Sequence, residues 1–169
     1  MSIERLIGSW GEVRAGLMQE ASLIPAEQFS FRATPDTRSV TEILQHIVET
    51  EKLLVGEARC ADPNLSRQSF ETHIAEYAPE VADITDKDGL MKLLRSSMEA
   101  SMVSIRSCGE GTMRGFDGKE GAKLDVFTFA ASHEMYHRGQ LTVYERLLGI
   151  EPALTQYFKK LFAADESGK

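Results

Sequence analysis

Cysteine is scarce in this chain: Cys60 and Cys108 are its only two, far apart and outside any CxxC spacing. At most one bridge is available, which excludes a disulfide-framed fold, and reduced, buried thiols are the expectation. Long apolar runs are missing too. No stretch approaches the ~20 residues of a membrane span, and the opening MSIERLIGSWGEV mixes acids into its apolar residues without a cleavage site. A cytoplasmic protein that does not enter a membrane is expected. Basic charge is also in short supply, with 19 Lys and Arg against 26 Asp and Glu, a net charge of −7. No segment concentrates cations with interleaved aromatics, so nucleic-acid binding is disfavoured. What remains is an ordinary soluble balance, 42% hydrophobic and 27% charged, too apolar for a disordered chain. The length fits one domain over residues 1–169.

Strand-like alternation is nearly absent and helical spacing dominates. Ile3, Leu6, Trp10, Val13 and Leu17 recur at three- and four-residue steps and predict a first long helix. Ser39 stands three residues before Glu42, a capping-box spacing that opens a second one carrying Ile43, Ile47, Leu54 and Ala58. Pro63 cannot continue that helix, and the chain to about Asp83 reads as an irregular connection. Thr85 with Asp88 repeats the capping spacing and opens a third long helix with Leu90, Leu94, Met98 and Ile105, stopping near Cys108. The glycine-rich GEGTMRGFDGKEG lacks the upstream Gly and following Ser or Thr of a phosphate loop, so it predicts a turn or short hairpin. A fourth long helix runs from about Lys123 to Leu148, closed by Gly149 and Pro152. Leu154, Tyr157, Phe158 and Leu161 predict a short extra helix packed across the end.

These elements predict an all-α four-helix bundle with a short extra C-terminal helix. The connection between the second and third long helices is long enough to run back along the bundle, which allows that pair to be parallel. The expected order is up-down-down-up, with the fourth long helix antiparallel to the second.

Within that frame, SHEMYHRGQL places His133 and His137 four residues apart, one above the other on the face shared by Val126, Ala130, Leu141, Tyr144 and Leu148. Burying two adjacent imidazoles is costly unless something satisfies them, and a metal ion does so. His46 is the third ligand candidate. It lies ~10 Å into the second long helix, while His137 lies ~16 Å before the end of the fourth, so in antiparallel helices their levels match. His73 falls in the irregular connection and reads as a solvated surface histidine.

His133-Glu134-x-x-His137 spells the zinc-peptidase motif, but Gln140 and Val143 stand where a metzincin needs Gly and His, and Gln156 or Tyr157 replaces a distal glutamate ligand. A ferritin-like di-iron site needs two Glu-x-x-His pairs, and only one is present. Glu134 points ~100° away from His133 on the wheel; an ion pair with Arg138 at i+4 outweighs a role at the metal. Glu49, three residues after His46, has equal claims as a solvated carboxylate and as a group approaching the open coordination position. Glu49 and Glu134 are thus weak catalytic candidates. Tyr136 and Tyr144 read as core aromatics before substrate contacts.

The segments SVTEILQHIVETEKLL and ASHEMYHRGQLTVYERLLG resemble the two signatures of the DinB-like, damage-inducible bundle proteins, and the resemblance extends over nearly the whole chain in helix order. It implies an up-down-down-up bundle holding one divalent metal on His46, His133 and His137, completed by water and commonly dimeric. Family members include bacillithiol- or mycothiol-dependent S-transferases and isomerases, and others described as metal-dependent hydrolases. The chain departs from the family where a Trp often precedes the serine of the second helix; here Thr37 and Arg38 stand. The resulting expectation is a metal-dependent transferase or hydrolase, with Zn or Ni and a low-molecular-weight thiol as cofactors, a small-molecule substrate and a homodimer. The competing expectation is a non-catalytic metal- or small-ligand-binding bundle.

Overall fold

The computed structural model describes residues 2–167, and helices dominate it. Six helices form: α1 (Ile3–Leu23), α2 (Val40–Ala58), α3 (Phe70–Tyr77), α4 (Lys87–Cys108), α5 (Lys123–Leu147) and α6 (Ala153–Ser167). A two-stranded antiparallel hairpin, β1 (Thr112–Arg114) and β2 (Glu120–Ala122), links α4 to α5. Its turn uses Gly118 at φ +75°, a conformation glycine adopts without steric cost. Buried Met113 fastens it to the core. The hairpin expected from the glycine-rich segment is therefore present.

The second-helix start is as expected: Ser39 accepts from the Glu42 amide while Glu42 accepts from the Ser39 amide. The start of α4 is not. Asp86, rather than Thr85 with Asp88, caps it by accepting from the Gly89 amide at 2.8 Å. A carboxylate there also favours the positive end of the helix dipole, and the Thr85 carbonyl instead accepts from Thr41.

The four long helices α1, α2, α4 and α5 pack with α1 and α2 each against both α4 and α5. Two apolar clusters fill the space between them. One gathers Leu17, Ile43, Ile47, Leu94 and Leu141; the other gathers Leu6, Trp10, Leu54, Met98 and Phe127. On every long helix a polar residue separates the two sets: Arg14, Glu51, Ser97 and Glu134. They meet in one buried network. Arg14 donates to Glu134 at 2.5 Å, to Glu51 at 2.7 Å and to the Leu94 carbonyl at 2.6 Å, and Ser97 donates to Glu51. Burial works against the Arg14 charge, but the flanking Glu51 and Glu134 carboxylates outweigh it. A layer that satisfies Arg14 only when all four helices are aligned fixes their register.

Several expectations are overturned. The connection between α2 and α4 is ordered by α3 and short turns, and His73, expected in solvent, is fully buried. Its Nε2 donates to the Leu65 carbonyl and its Nδ1 accepts from Gln68, so both nitrogens are satisfied without water. Cys60 is exposed and Cys108 only part-buried, because both sit at helix ends rather than in the core. The C-terminal helix is longer than expected and does not bury its apolar face: Leu154, Tyr157, Phe158 and Leu161 are exposed. Its first turn is pinned instead, the Ala153 amide donating to Glu20 of α1 at 2.6 Å. No helix among the described residues is long and apolar enough to cross a membrane.

Candidate metal centre

α5 buries two stripes. Ala130, His137, Leu141 and Tyr144 lie on one, and Phe127, Glu134 and Glu145 on the other. Because adjacent residues differ by ~100° around a helix, His133 and Glu134 serve different neighbours. The histidine stripe meets His46 of α2, and the glutamate stripe meets α1.

His46 Nε2 lies 3.1 Å from His133 Nε2, and His137 Nε2 lies 3.0 Å from the same atom. The three ligand atoms are mutually within 4.8 Å. Each imidazole nitrogen has one proton or one lone pair, so His133 Nε2 cannot make two good hydrogen bonds to two neighbours at once. Three lone pairs around a cation remove that conflict, and nitrogens ~2.0–2.1 Å from a zinc-sized ion at right-angled to tetrahedral spacing stand about 2.9–3.4 Å apart. The two short separations match that range, so the donor set fits an ion.

The protonation state agrees. Burial, followed by the Arg38 charge and the neighbouring imidazoles, pushes His46 down to about 3; burial, with His137 and Arg38, pushes His133 to about 4. Burial lowers His137 as well, against the opposing effect of the hydrogen bond it donates to Gln140. All three are neutral at pH 7, the form that ligates. His137 Nδ1 donates to Gln140 Oε1 at 2.7 Å, which leaves the Nε2 lone pair directed at the other two rings. Aromatic rings wall the cluster: Phe70 of α3 is 6.0 Å from His46, Phe129 is 5.9 Å from His133, and Tyr136 is 5.1 Å from His137.

Glu134 is placed elsewhere. Both its oxygens are taken, by Arg14 and by the Trp10 indole at 2.7 Å. Its expected partner Arg138 pairs with Glu20 instead, since α1 passes alongside and offers the Arg14 and Trp10 donors to Glu134 and the buried Glu20 carboxylate to Arg138. Glu49 is half-buried in the cleft beside His46, its carboxyl pushed up by burial. Tyr144 is buried and donates to the Arg38 carbonyl, while Tyr136 is exposed. Sequence reasoning did not identify Gln140 as a partner of His137. The signal was available, because position i+3 from a ligand shares its face.

A family profile described as "DinB family" matches residues 1–168. No curated protein matches the sequence. Among solved structures, a DinB-like protein from Bacillus cereus is similar with a TM-score of 0.67 at 17% identity, over 88% of this chain and 94% of that one. A DinB-like protein from Bacillus subtilis gives 0.64 at 18% identity, over 86% and 92%. A mycothiol-dependent maleylpyruvate isomerase gives 0.66 at 12% identity; 83% of this chain is covered but only 61% of the isomerase. At these identities the likeness shows the fold.

Proposed function

Because the chain belongs to the DinB family, we propose that it is a metal-dependent enzyme in which His46, His133 and His137 hold one divalent ion, Zn or Ni, with a thiol-dependent S-transfer preferred over hydrolysis. The observation that carries this reading is the gathering of three Nε2 atoms within 4.8 Å of one another, with His133 Nε2 close to two others although it can hydrogen-bond only one of them. The thiol preference is supported by the mycothiol-dependent neighbour of the same fold. An ion held there with a position open supplies a Lewis acid that lowers the pKa of a thiol or water.

The residues do the rest. Gln140 holds the His137 proton on Nδ1, Phe70 and Phe129 exclude water from the flanks of the rings, and Glu49 is the carboxyl best placed to accept a proton in the cleft. Glu134 serves the Arg14 network. An up-down-down-up order of the long helices is part of the same reading. It is supported by contacts of α5 with α2 and the residues leading into it, Tyr144 to Arg38 and His133 to His46, and by Thr41 meeting Thr85 just before α4 while Glu51 meets Ser97. A small-molecule substrate, a cytoplasmic setting and a homodimer complete the proposal.

Metal content of untagged protein by plasma mass spectrometry is the test, comparing wild type with a His133→Ala/His137→Ala double variant. About one equivalent of a transition metal in wild type and none in the variant is expected. A wild type that stays metal-free and cannot be loaded overturns the reading.

A further inference from the structure

Arginines in this protein are mostly engaged. Arg14, Arg32, Arg67, Arg106 and Arg138 each pair with a carboxylate. Among the described residues the Arg38 guanidinium, like those of exposed Arg5, Arg59 and Arg95, has no ion-pair or hydrogen-bond partner, but of these four only Arg38 stands at the mouth of the histidine cluster. It lines a cleft of about 500 Å³ together with His46, Glu49 and Phe70. It also lines the adjoining hollow with Gln140, Val143 and Tyr144, so it spans both sides of the centre.

The backbone at this position is clamped. The Tyr144 hydroxyl donates to the Arg38 carbonyl at 2.7 Å, and the next amide, Ser39, donates to Glu42 at 2.7 Å. The side chain therefore projects from a fixed base while its head stays free. Arg32, on the same cleft, is not equivalent, being held by Glu42 and the Thr37 carbonyl. An unneutralised guanidinium beside a bound divalent cation repels it; an anionic ligand touching both removes the repulsion. Asp36, Glu49 and Glu71 line the same cleft, which disfavours a doubly charged phosphate and leaves a planar monoanion as the match to the arginine fork.

We propose that Arg38 is the specificity-determining anchor of this site, binding the carboxylate of a substrate or co-substrate whose second donor atom reaches the three-histidine centre. The inference rests on the metal reading above and adds the chemical class of ligand.

The experiment uses full-length protein loaded with Co²⁺, and follows thiolate-to-cobalt absorption on titration with 3-mercaptopropionate or with 2-mercaptoethanol. Cobalt stoichiometry is measured first. In wild type, 3-mercaptopropionate is expected to bind about tenfold more tightly than 2-mercaptoethanol. In Arg38→Met the preference shrinks to within about threefold while cobalt content, melting temperature and 2-mercaptoethanol affinity stay as in wild type, and Arg38→Lys falls between. No preference in wild type, or the same preference in Arg38→Met and Arg38→Gln, overturns the anchor and leaves the metal reading standing. Failure of wild type to take up cobalt overturns the metal reading, and this inference falls with it.

Discussion

Gln140 shows how much one side chain decides. By accepting from His137 Nδ1 it selects the tautomer whose Nε2 faces the other two rings. Gln140→Leu is expected to weaken metal affinity about 10–100-fold, read by competition with a chromophoric chelator, with the fold unchanged by circular dichroism. Glu145 makes a second residue-scale prediction. Both its carboxyl oxygens are buried without a hydrogen-bond partner, and burial together with the nearby Glu20 charge pushes its pKa up to about 8 from an ordinary 4.5. Between those values the unfolded chain has released the proton and the native protein retains it, so this group's contribution is fully present below 4.5 and lost as pH rises through 8. Glu145→Gln should therefore change thermal stability little near pH 4.5. At pH 8 it should raise stability by on the order of 1–3 kcal/mol, about 2–4 °C in Tm per kcal/mol, measured by calorimetry across the range.

At the scale of elements, α2 carries the site's most informative local signal. Its capping box was readable from Ser39 and Glu42 alone, since the interaction spans only three residues, and it sets the start of the helix that carries His46. Ser39→Ala should cost about 1 kcal/mol, seen as a lower urea midpoint with the m-value preserved. α3 was not readable in the same way. Eight residues give barely two turns of periodicity, and its stability comes from α2 beneath it and from buried His73. The cost of missing it is local, because Phe70 brings an aromatic wall to His46 that the sequence pattern did not place. α6 erred in the other direction: its amphipathic spacing predicts packing, yet only its first turn is tied to the bundle.

Across the whole molecule, the exposed side of α5 is unusually apolar. Phe129, Tyr136, Val143 and Leu147 are each about half exposed or more, the first three spaced by seven residues. Such a stripe fits the proposed homodimer better than a solvated face. Sedimentation velocity is expected to give a dimer for wild type and a monomer for Val143→Glu/Leu147→Glu; a monomeric wild type removes the dimer from the reading.

The long helices, the hairpin, the family and the spacing of His133 and His137 were legible in the sequence alone, because helical periodicity, caps and an i, i+4 histidine pair are local relations written in neighbouring residues. The partners across the bundle became visible once the helices were packed together. Glu134 belongs to Arg14 and Trp10, Arg138 to Glu20, His73 to the Leu65 carbonyl, and Arg38 to no partner among the described residues. Those pairings depend on which helix passes opposite a given face and at what height. Chain neighbours at helical spacing can compete for a partner, as Glu134 and Arg138 do on paper, but a buried charge goes to whichever opposite charge the packed helices present, since leaving it unpaired costs more than any exposed i, i+4 pair returns.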